Sequence, residues 1–232
     1  MNSCSIGIDI IALVPAAGIG SRMQTICPKQ YLTIGQSTVL EHSITCLLSH
    51  SQIKKAVVAL SINDGWFDAL PFSKDSRVLR VIGGTTRAES VLACLVAVKS
   101  NWVLVHDAVR PCLHMDDLKR LLACRSQDNK IGAILAVPVN DTIKRSMRGK
   151  AVISCTIERQ NLWHALTPQF FPYLLLKNCL IYAINKGAII TDDSSALEYC
   201  GYYPDLISAR NDNIKLTQPE DLALAASYLN YI

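Results

Sequence analysis

Several features that mark well-known classes of protein are missing from this chain of 232 residues. The formal net charge is only +4, and so small an excess of basic residues does not indicate a nucleic-acid partner. No uncharged apolar run approaches the roughly 18 residues that span a bilayer, so we expect no membrane segment. Charged residues make up 18% and hydrophobic residues 50% of the chain, a composition that argues against disorder and suffices for a sizeable core.

Disulfide and metal patterns are missing too. The nine cysteines are odd in number, form no C-x-x-C pair, and mostly stand in apolar helix-like or strand-like patterns. We therefore expect reduced core cysteines and a cytoplasmic protein. The five histidines lack metal-ligand spacing. Cys112 and His114 are close in sequence, but two ligands in a proline-containing loop do not make a zinc site.

Two common phosphate-binding loops are absent as well. The stretch LVPAAGIGSRMQTICPKQYL (13–32) begins like G-x-G-x-x-G with Gly18 and Gly20, but Met23 occupies the third glycine position. The acidic residue expected at a strand end about twenty residues later is missing. The pattern G-x-x-x-x-G-K-[ST] does not occur there either. A NAD-type oxidoreductase and a P-loop ATPase are therefore disfavoured.

What this stretch does contain is a run of small residues beside two cations. Ala16, Ala17 and Gly18 would let a ligand approach main-chain N–H groups, and Arg22 and Lys29 follow close behind. The pattern predicts contact with a phosphate. A tight turn between a strand and a helix, with two solvated cations, would have the same sequence, so the stretch alone does not decide.

Short apolar runs alternate with segments of helical period. The predicted strands are 10–15, 55–61, 78–82, 102–107, 132–139 and 213–217. The predicted helices are 38–50, 87–99, 115–125, 171–187 (ending on Gly187) and 218–229 (with Pro219 near its start). This alternation predicts an α/β fold with a doubly wound, mostly parallel sheet, in which ligands bind beyond the carboxyl ends of the strands.

The alternation breaks between about 138 and 160. This segment is typical of two strands around the polar turn SMRGK. Because an isolated pair of strands is marginal in water, we expect this arm to pack on another subunit. No repeat, low-complexity tract or linker interrupts the chain, so residues 1–232 are predicted to be one domain that carries an arm.

Two further motifs point to anions and a metal ion. In GGTTRAESV (83–91), Arg87 and Ser90 fall in the first turn of a helix, where free N–H groups favour anions, although a capped helix would look the same. In VLVHDAVRP (103–111), Asp107 ends a buried strand, where a carboxylate is costly without a cation. Magnesium suits it; Arg110 would hold a second anion or simply pair with Asp107.

Other residues later in the chain are suitable donors to a phosphate and to hydroxyls, although each could equally be a cap or a surface residue. They are Thr142, Arg159, Thr167, Thr191 and Lys215.

Taken together and in order, the motifs resemble those of the 2-C-methyl-D-erythritol 4-phosphate cytidylyltransferase family. The segments concerned are PAAGIGSRM, PKQYL, GGTTRAESV, HDAVRP, DTIK, LWHALTPQ, TDDSSALE and NIKLTQPEDL. The resemblance covers nearly the whole chain and departs at no charged motif position. It implies a Rossmann-like nucleotidyltransferase fold that makes a CDP-linked alcohol and pyrophosphate from CTP and methylerythritol phosphate. It also implies a homodimer in which each arm completes the partner's site.

The resemblance and the chemistry of phosphate transfer together suggest roles. Both reactants are anions, so catalysis should consist of alignment and charge neutralisation. Arg22, Lys29 and Lys215 would act on the reacting phosphates. Asp107 would hold magnesium directly or through water. The arm residues Thr142 and Arg159 would hold the incoming phosphate.

The remaining candidates would bind the two reactants. Arg110, Thr167 and Thr191 are expected to contact the substrate, as is Asp107. The nucleotide contacts are expected at Ala16, Ala17, Gly18, Gly84, Thr85, Arg87 and Ser90. Thr85 stands at a position that varies in the family and could contribute only its hydroxyl or its backbone.

Two alternative functions make different predictions for the sequence. A cytidylyltransferase for another polyol phosphate, such as ribitol 5-phosphate, would differ between Thr142 and Thr191. A non-catalytic nucleotide-binding subunit would be expected to lack Arg22, Lys29 or Asp107, and all three are present.

Overall fold

The computed structural model describes residues 10–18, 27–126 and 131–230. The strands are β1 Ile10–Pro15, β2 Thr33–Ile34, β3 Ser37–Thr38, β4 Ile53–Leu60, β5 Val78–Ile82, β6 Trp102–Val105, β7 Ala133–Pro138, β8 Ile143–Ser146, β9 Ile153–Ile157, β10 Trp163–Pro172 and β11 Asp205–Ser208. The helices are α1 Val39–Ser49, α2 Arg87–Ala97, α3 Met115–Ala123, α4 Tyr173–Asn185, α5 Asp193–Tyr199 and α6 Glu220–Leu229. No helix among the described residues is both long and apolar enough to cross a bilayer.

Seven strands form the central sheet in the order β11-β7-β10-β6-β1-β4-β5. Only β10 runs antiparallel to its neighbours, and the other adjacent strands are parallel. From β1 the chain first adds β4 and β5 on one side and then β6 on the other. The order therefore reverses at β1 and β6, and a crevice forms beyond their carboxyl ends.

Both faces of the sheet are covered, as the continuous apolar strands require. Ala12 and Val14 of β1 pack with α1 and α3 on one face, whereas Ile11 and Leu13 pack with α2, α4 and α5 on the other. Alternate residues of one strand thus enter two different cores, because successive side chains of a strand point to opposite faces. The sheet is therefore a rigid base for the loops at its carboxyl edge.

Side-chain caps fix where two of the helices begin. Thr38 before α1 and Thr86 before α2 each accept a hydrogen bond from the backbone N–H of a glutamate three residues on, which caps the threonine N–H in return. Such a capping box satisfies N–H groups that the first helical turn leaves free. The start of α2 is consequently set at Arg87, beside the crevice.

The predicted strands and helices are confirmed to within a few residues, with one exception. Residues 213–217 do not form a strand, so that prediction was wrong. This segment crosses the carboxyl edge of the sheet, where the Leu216 N–H donates to the Val109 carbonyl at 2.9 Å. Apolar and polar residues alternate in this segment because Leu216 is buried while Lys215 faces a cavity. The elements β2, β3, β10, β11 and α5 were not predicted.

The segment that breaks the alternation contains the expected hairpin. Strands β8 and β9 pair antiparallel with each other and form a separate two-stranded sheet. Met147, Val152 and Ile153 are exposed on this hairpin. Its packing on a second subunit, and the organisation of the chain as one domain with an arm, remain predictions.

Candidate active site

A cavity lies beyond the carboxyl ends of β1 and β6. Ten of the predicted site residues line it: Ala16, Ala17, Gly18, Lys29, Gly84, Thr85, Arg87, Ser90, Asp107 and Lys215. They come from distant parts of the sequence and meet because parallel strands end at the same edge of the sheet. We call this the first cavity.

Hydrogen bonds and close packing shape the floor of the first cavity. The Ala16 N–H donates to the Ala59 carbonyl at 2.8 Å, and the buried Gln30 side chain donates to the Ala16 carbonyl at 2.9 Å. A methyl group added to Gly83 would lie 2.7 Å from the Ala17 Cβ, so only glycine lets these two segments approach. The backbone of the loop after β1 is therefore held firmly where a ligand would meet it.

The start of α2 forms the opposite wall. The Ser90 hydroxyl accepts a hydrogen bond from the Gly84 N–H at 3.2 Å and donates to the Thr86 carbonyl at 3.0 Å. The Thr85 hydroxyl donates to the Glu89 carboxylate at 2.6 Å. Because that proton is committed to Glu89, Thr85 is left to offer a ligand its oxygen lone pairs and its backbone.

Asp107 is the centre of a cluster of charges. Arg87 Nε donates to Asp107 Oδ1 at 2.9 Å, and Lys215 Nζ lies 2.9 Å from Oδ2. Arg110 Nε is more distant from the same oxygen, at 3.6 Å. The pairing with Arg110 that the sequence left open is thus present, but it is the longest of three.

The protonation state of Asp107 follows from this cluster. Burial alone would raise the pKa of its carboxyl, but the charges of Arg87, Lys215 and Arg110 outweigh burial and hold that pKa well below its usual range. Asp107 is therefore an anion at neutral pH, surrounded by three cations. A surplus of positive charge remains around Asp107, and such a surplus suits phosphate groups.

A second cavity adjoins the first. It contains Arg110, Thr167 and Thr191, the three residues that were predicted together with Asp107 to contact the substrate. Three residues line both cavities: Arg87, Asp107 and Lys215. A ligand in either cavity would accordingly lie against the same charged cluster.

A hydrogen-bonded chain behind the cluster fixes its backbone. His106 is fully buried, with Nε2 3.0 Å from the Arg110 carbonyl and Nδ1 3.1 Å from the Thr167 hydroxyl oxygen. A carbonyl only accepts, so Nε2 carries the hydrogen and Nδ1 accepts from Thr167. The Thr167 oxygen in turn accepts from the Asp107 N–H at 3.0 Å. Burial lowers the pKa of His106 to about 4, which keeps the ring neutral.

The segment that carries Lys215 is tied down on both sides. The buried Asn213 side chain donates to the Thr167 carbonyl at 2.8 Å, and the Asn213 carbonyl accepts from Arg110 at 2.7 Å. Lys29 Nζ donates to the Leu216 carbonyl at 3.1 Å. The two predicted phosphate-binding lysines are therefore placed by the same short segment.

Two predicted residues among those that the structure describes are not part of this assembly. Thr142 and Arg159 are exposed near the hairpin and line neither cavity, and Arg159 donates to the Asn140 carbonyl instead. Arg22 lies outside the described residues. Among the described residues, no group of three or more histidine, cysteine, aspartate or glutamate side chains could hold a metal ion.

Some residues of the site were missed by the sequence reasoning. They are Gln30, His106, Asp193 and Asn213, all of them buried polar residues. Each stands inside or beside a motif that was singled out for another residue. A polar residue next to a predicted ligand contact was the available signal, but the sequence does not show which of them is buried.

Comparison with known proteins agrees with the geometry. Residues 10–231 match the family described as IspD, 2-C-methyl-D-erythritol 4-phosphate cytidylyltransferase. A relative of that name from Salmonella paratyphi A is 59% identical over 223 residues, which cover 96% of this chain and 94% of the relative.

Solved structures show the same likeness. A crystal structure of 4-diphosphocytidyl-2C-methyl-D-erythritol synthase has a TM-score of 0.80 and 38% identity, with 96% of this chain and 98% of that chain covered. The 2-C-methyl-D-erythritol 4-phosphate cytidylyltransferase from Francisella tularensis has a TM-score of 0.82 and 30% identity, with 95% and 99% covered. The chain belongs to the 2-C-methyl-D-erythritol 4-phosphate cytidylyltransferase family.

Proposed function

We propose that this protein transfers the cytidylyl group of CTP to 2-C-methyl-D-erythritol 4-phosphate. The products are 4-CDP-2-C-methyl-D-erythritol and pyrophosphate, in the non-mevalonate route to isoprenoid precursors. Family membership over nearly the whole chain supports the reaction. The observation that carries it is the pair of cavities that meet at Arg87, Asp107 and Lys215, because a group transfer needs two reactants side by side.

The reaction is a substitution at phosphorus. A phosphate oxygen of the acceptor attacks the α-phosphorus of CTP, and the bond from that phosphorus to the pyrophosphate oxygen breaks. The attacking phosphate is already an anion, so no general base is needed. The obstacle is repulsion between two anions, which fixed cations relieve.

In our proposal each cation stabilises particular phosphate groups. Lys29 and Arg22 stabilise the α-phosphate and the leaving pyrophosphate, and Lys215 reaches both the α-phosphate and the incoming phosphate. The position of Lys215 on the wall of both cavities favours this role. Its present partner Asp107 would keep the ammonium in place until phosphate oxygens compete for it.

The first cavity would bind the nucleotide. Ala16, Ala17, Gly84 and Ser90 would hydrogen-bond the cytosine and ribose, with Gly18, Thr85 and Arg87 beside them. The fixed backbone at these positions favours the assignment, since a rigid set of donors and acceptors discriminates best between bases. A small cavity of this kind rejects purines by size.

The second cavity would bind the acceptor. Thr167, Thr191, Arg110 and Asp107 supply hydroxyls and charges for the polyol. We further propose a homodimer, in which Thr142 and Arg159 from the partner's arm hold the acceptor phosphate. Both residues are exposed and neither lines a cavity of its own chain, which favours this arrangement.

Magnesium is the cofactor that we propose. Asp107 remains ionised and lines the first cavity, so it suits an ion whose other ligands are phosphate oxygens and water. Both of its oxygens contact cations, which fits an ion that arrives with the nucleotide better than one that the protein holds alone. When bound, magnesium would neutralise part of the triphosphate charge.

We also propose that the protein works in the cytoplasm. Eight described cysteines are free thiols, which suits a reducing compartment. Four of them are buried, whereas Cys155 on the hairpin is exposed.

The test is a panel of acceptors. The protein is incubated with CTP, magnesium and either methylerythritol phosphate or ribitol 5-phosphate, and pyrophosphate release is followed. We expect kcat/KM for methylerythritol phosphate to exceed that for ribitol 5-phosphate by roughly 100-fold or more, because a site built for one set of hydroxyls rejects another. Comparable or reversed values would reject the assignment of the acceptor, and no release with any acceptor would reject cytidylyl transfer itself.

A further inference from the structure

Asp193 is a wholly buried carboxylate that the proposed mechanism does not use. It is the first residue of α5, and its side chain is 1% exposed. The helix does not need it as a cap, because Asp192 already accepts a hydrogen bond from the Ser195 N–H at 3.0 Å. A buried charge without a capping role requires another explanation.

The charge of Asp193 is compensated by Arg87. Asp193 Oδ2 lies 2.8 Å from Arg87 Nη2. This contact is an ion pair and not a hydrogen bond of good geometry: within residues 10–18, 27–126 and 131–230, neither Asp193 oxygen has a hydrogen-bond partner, and neither has Arg87 Nη2. Burial raises the pKa of Asp193, and the charge of Arg87 opposes that rise. The two side chains therefore depend on each other.

The same guanidinium serves a second carboxylate. Arg87 Nε donates to Asp107 Oδ1 at 2.9 Å, while Nη2 faces Asp193. A guanidinium is planar and its donors are fixed in a fork, so contacts at two different nitrogens leave it little freedom to rotate. The contact with Asp193 thus restrains the orientation in which Arg87 meets Asp107.

This chain of contacts connects the two cavities. Residues of α5 line the second cavity, and Arg87 lines both. We propose that Asp193 is a positioning residue for the transfer: it holds Arg87 in the orientation that sets Asp107 and the junction of the two cavities. The inference rests on the proposed function, because it concerns the same reaction.

The test is a double-mutant cycle with Asp193→Asn and Arg87→Gln, read as kcat/KM per folded protein. Wild-type activity with CTP and methylerythritol phosphate is measured first, and its absence would overturn the proposed function and this inference with it. Asp193→Asn keeps the shape and removes the charge. It should lower kcat/KM by roughly tenfold or more in the wild-type background. With Arg87→Gln already present, it should change kcat/KM by less than about twofold.

A matched control is Asp117→Asn. Asp117 is equally buried and pairs with Arg120, but it lines neither cavity. It should shift the unfolding midpoint and leave kcat/KM unchanged in both backgrounds. An Asp193→Asn protein with wild-type kcat/KM would overturn the proposal. So would a loss of the same size in both backgrounds, because Asp193 would then act without Arg87.

Loss of folding is also decisive. If Asp193→Asn does not fold, the cycle is repeated with Asp193→Ser. The changes in kcat/KM in the wild-type and Arg87→Gln backgrounds are then compared in the same way. If neither variant folds although Arg87→Gln does, the carboxylate serves the fold independently of Arg87, and the proposal is wrong.

Discussion

His106 shows at the scale of one residue how burial prepares a site. Its ring donates to the Arg110 carbonyl and accepts from the Thr167 hydroxyl, and it stays neutral because burial lowers its pKa to about 4. A charged ring there would lie beside Arg110 and would lose the acceptor that Thr167 needs. The neutral form is therefore part of the geometry that holds Asp107.

This predicts a pH dependence of stability. An unfolded histidine takes up a proton near pH 6.5, whereas folded His106 does so only near pH 4, so the unfolded state binds more protons between these values. The free energy of unfolding should therefore fall as the pH is lowered through this window, by about 2 kcal/mol from His106 between pH 7.5 and pH 5. Urea unfolding in metal-free buffer would measure it.

The variant His106→Gln should abolish this contribution while lowering stability at pH 7.5. All other titratable groups are the same in both proteins, so the difference between wild type and variant isolates His106. The control is His164→Gln, which replaces an exposed histidine and should keep the wild-type dependence. An unchanged pH slope in His106→Gln would show that the ring is not held neutral.

At the scale of an element, the first turn of α2 combines a helix cap with a binding wall. Glu89 accepts from the Thr86 N–H at 2.9 Å and from the Thr85 hydroxyl. The chain must turn sharply before the helix, and this brings Gly84 against Glu89. A methyl group on Gly84 would lie 2.2 Å from the Glu89 Cβ, a distance that requires the backbone to move.

Gly84→Ala should therefore destabilise the protein by about 1–3 kcal/mol, the usual cost of an overpacked position. It should also weaken CTP binding, because the wall of the first cavity moves. Urea midpoints and nucleotide titration would measure both effects. Gly65→Ala is the control: Gly65 is exposed and no described atom lies within 4 Å of the added carbon, so neither quantity should change. Wild-type stability and affinity in Gly84→Ala would contradict the tight packing.

At the scale of the whole molecule, we propose that a second chain completes the site. The hairpin exposes apolar side chains, and Thr142 and Arg159 beside it reach neither cavity of their own chain. Lys29 lines the first cavity of its own chain. In a two-fold dimer, each arm would supply its residues to the partner.

Mixed dimers test this arrangement. Lys29→Ala and Arg159→Ala should each be nearly inactive alone. After denaturation, equal mixing and reassociation, random pairing makes about half the dimers mixed, and one site of each mixed dimer carries neither substitution. About a quarter of wild-type activity should therefore return. If Arg159 served its own chain, every site would keep a lesion and no activity would return; refolded wild type serves as the reference for recovery.

The sequence by itself determined most of the local elements and the kind of chemistry. Continuous apolar strands between helical segments are sufficient to indicate a parallel sheet covered on both faces, since each pattern reflects burial that the residues themselves enforce. Glycines and threonine caps set the start of α2. Ordered motifs likewise identified the family, and thirteen of the sixteen site residues predicted from them line the two cavities.

Only the tertiary structure decided which of these residues meet and in what state. The segment 213–217 has a strand-like pattern but crosses the sheet edge, because the Leu216 N–H is bonded to the Val109 carbonyl and the Leu216 side chain is buried there. The sequence allowed a pairing of Asp107 with Arg110 alone, whereas in the folded chain Asp107 also contacts Arg87 and Lys215. Burial of Asp193 is likewise invisible in sequence, because desolvation and ion pairing depend on contacts between distant segments rather than on local pattern.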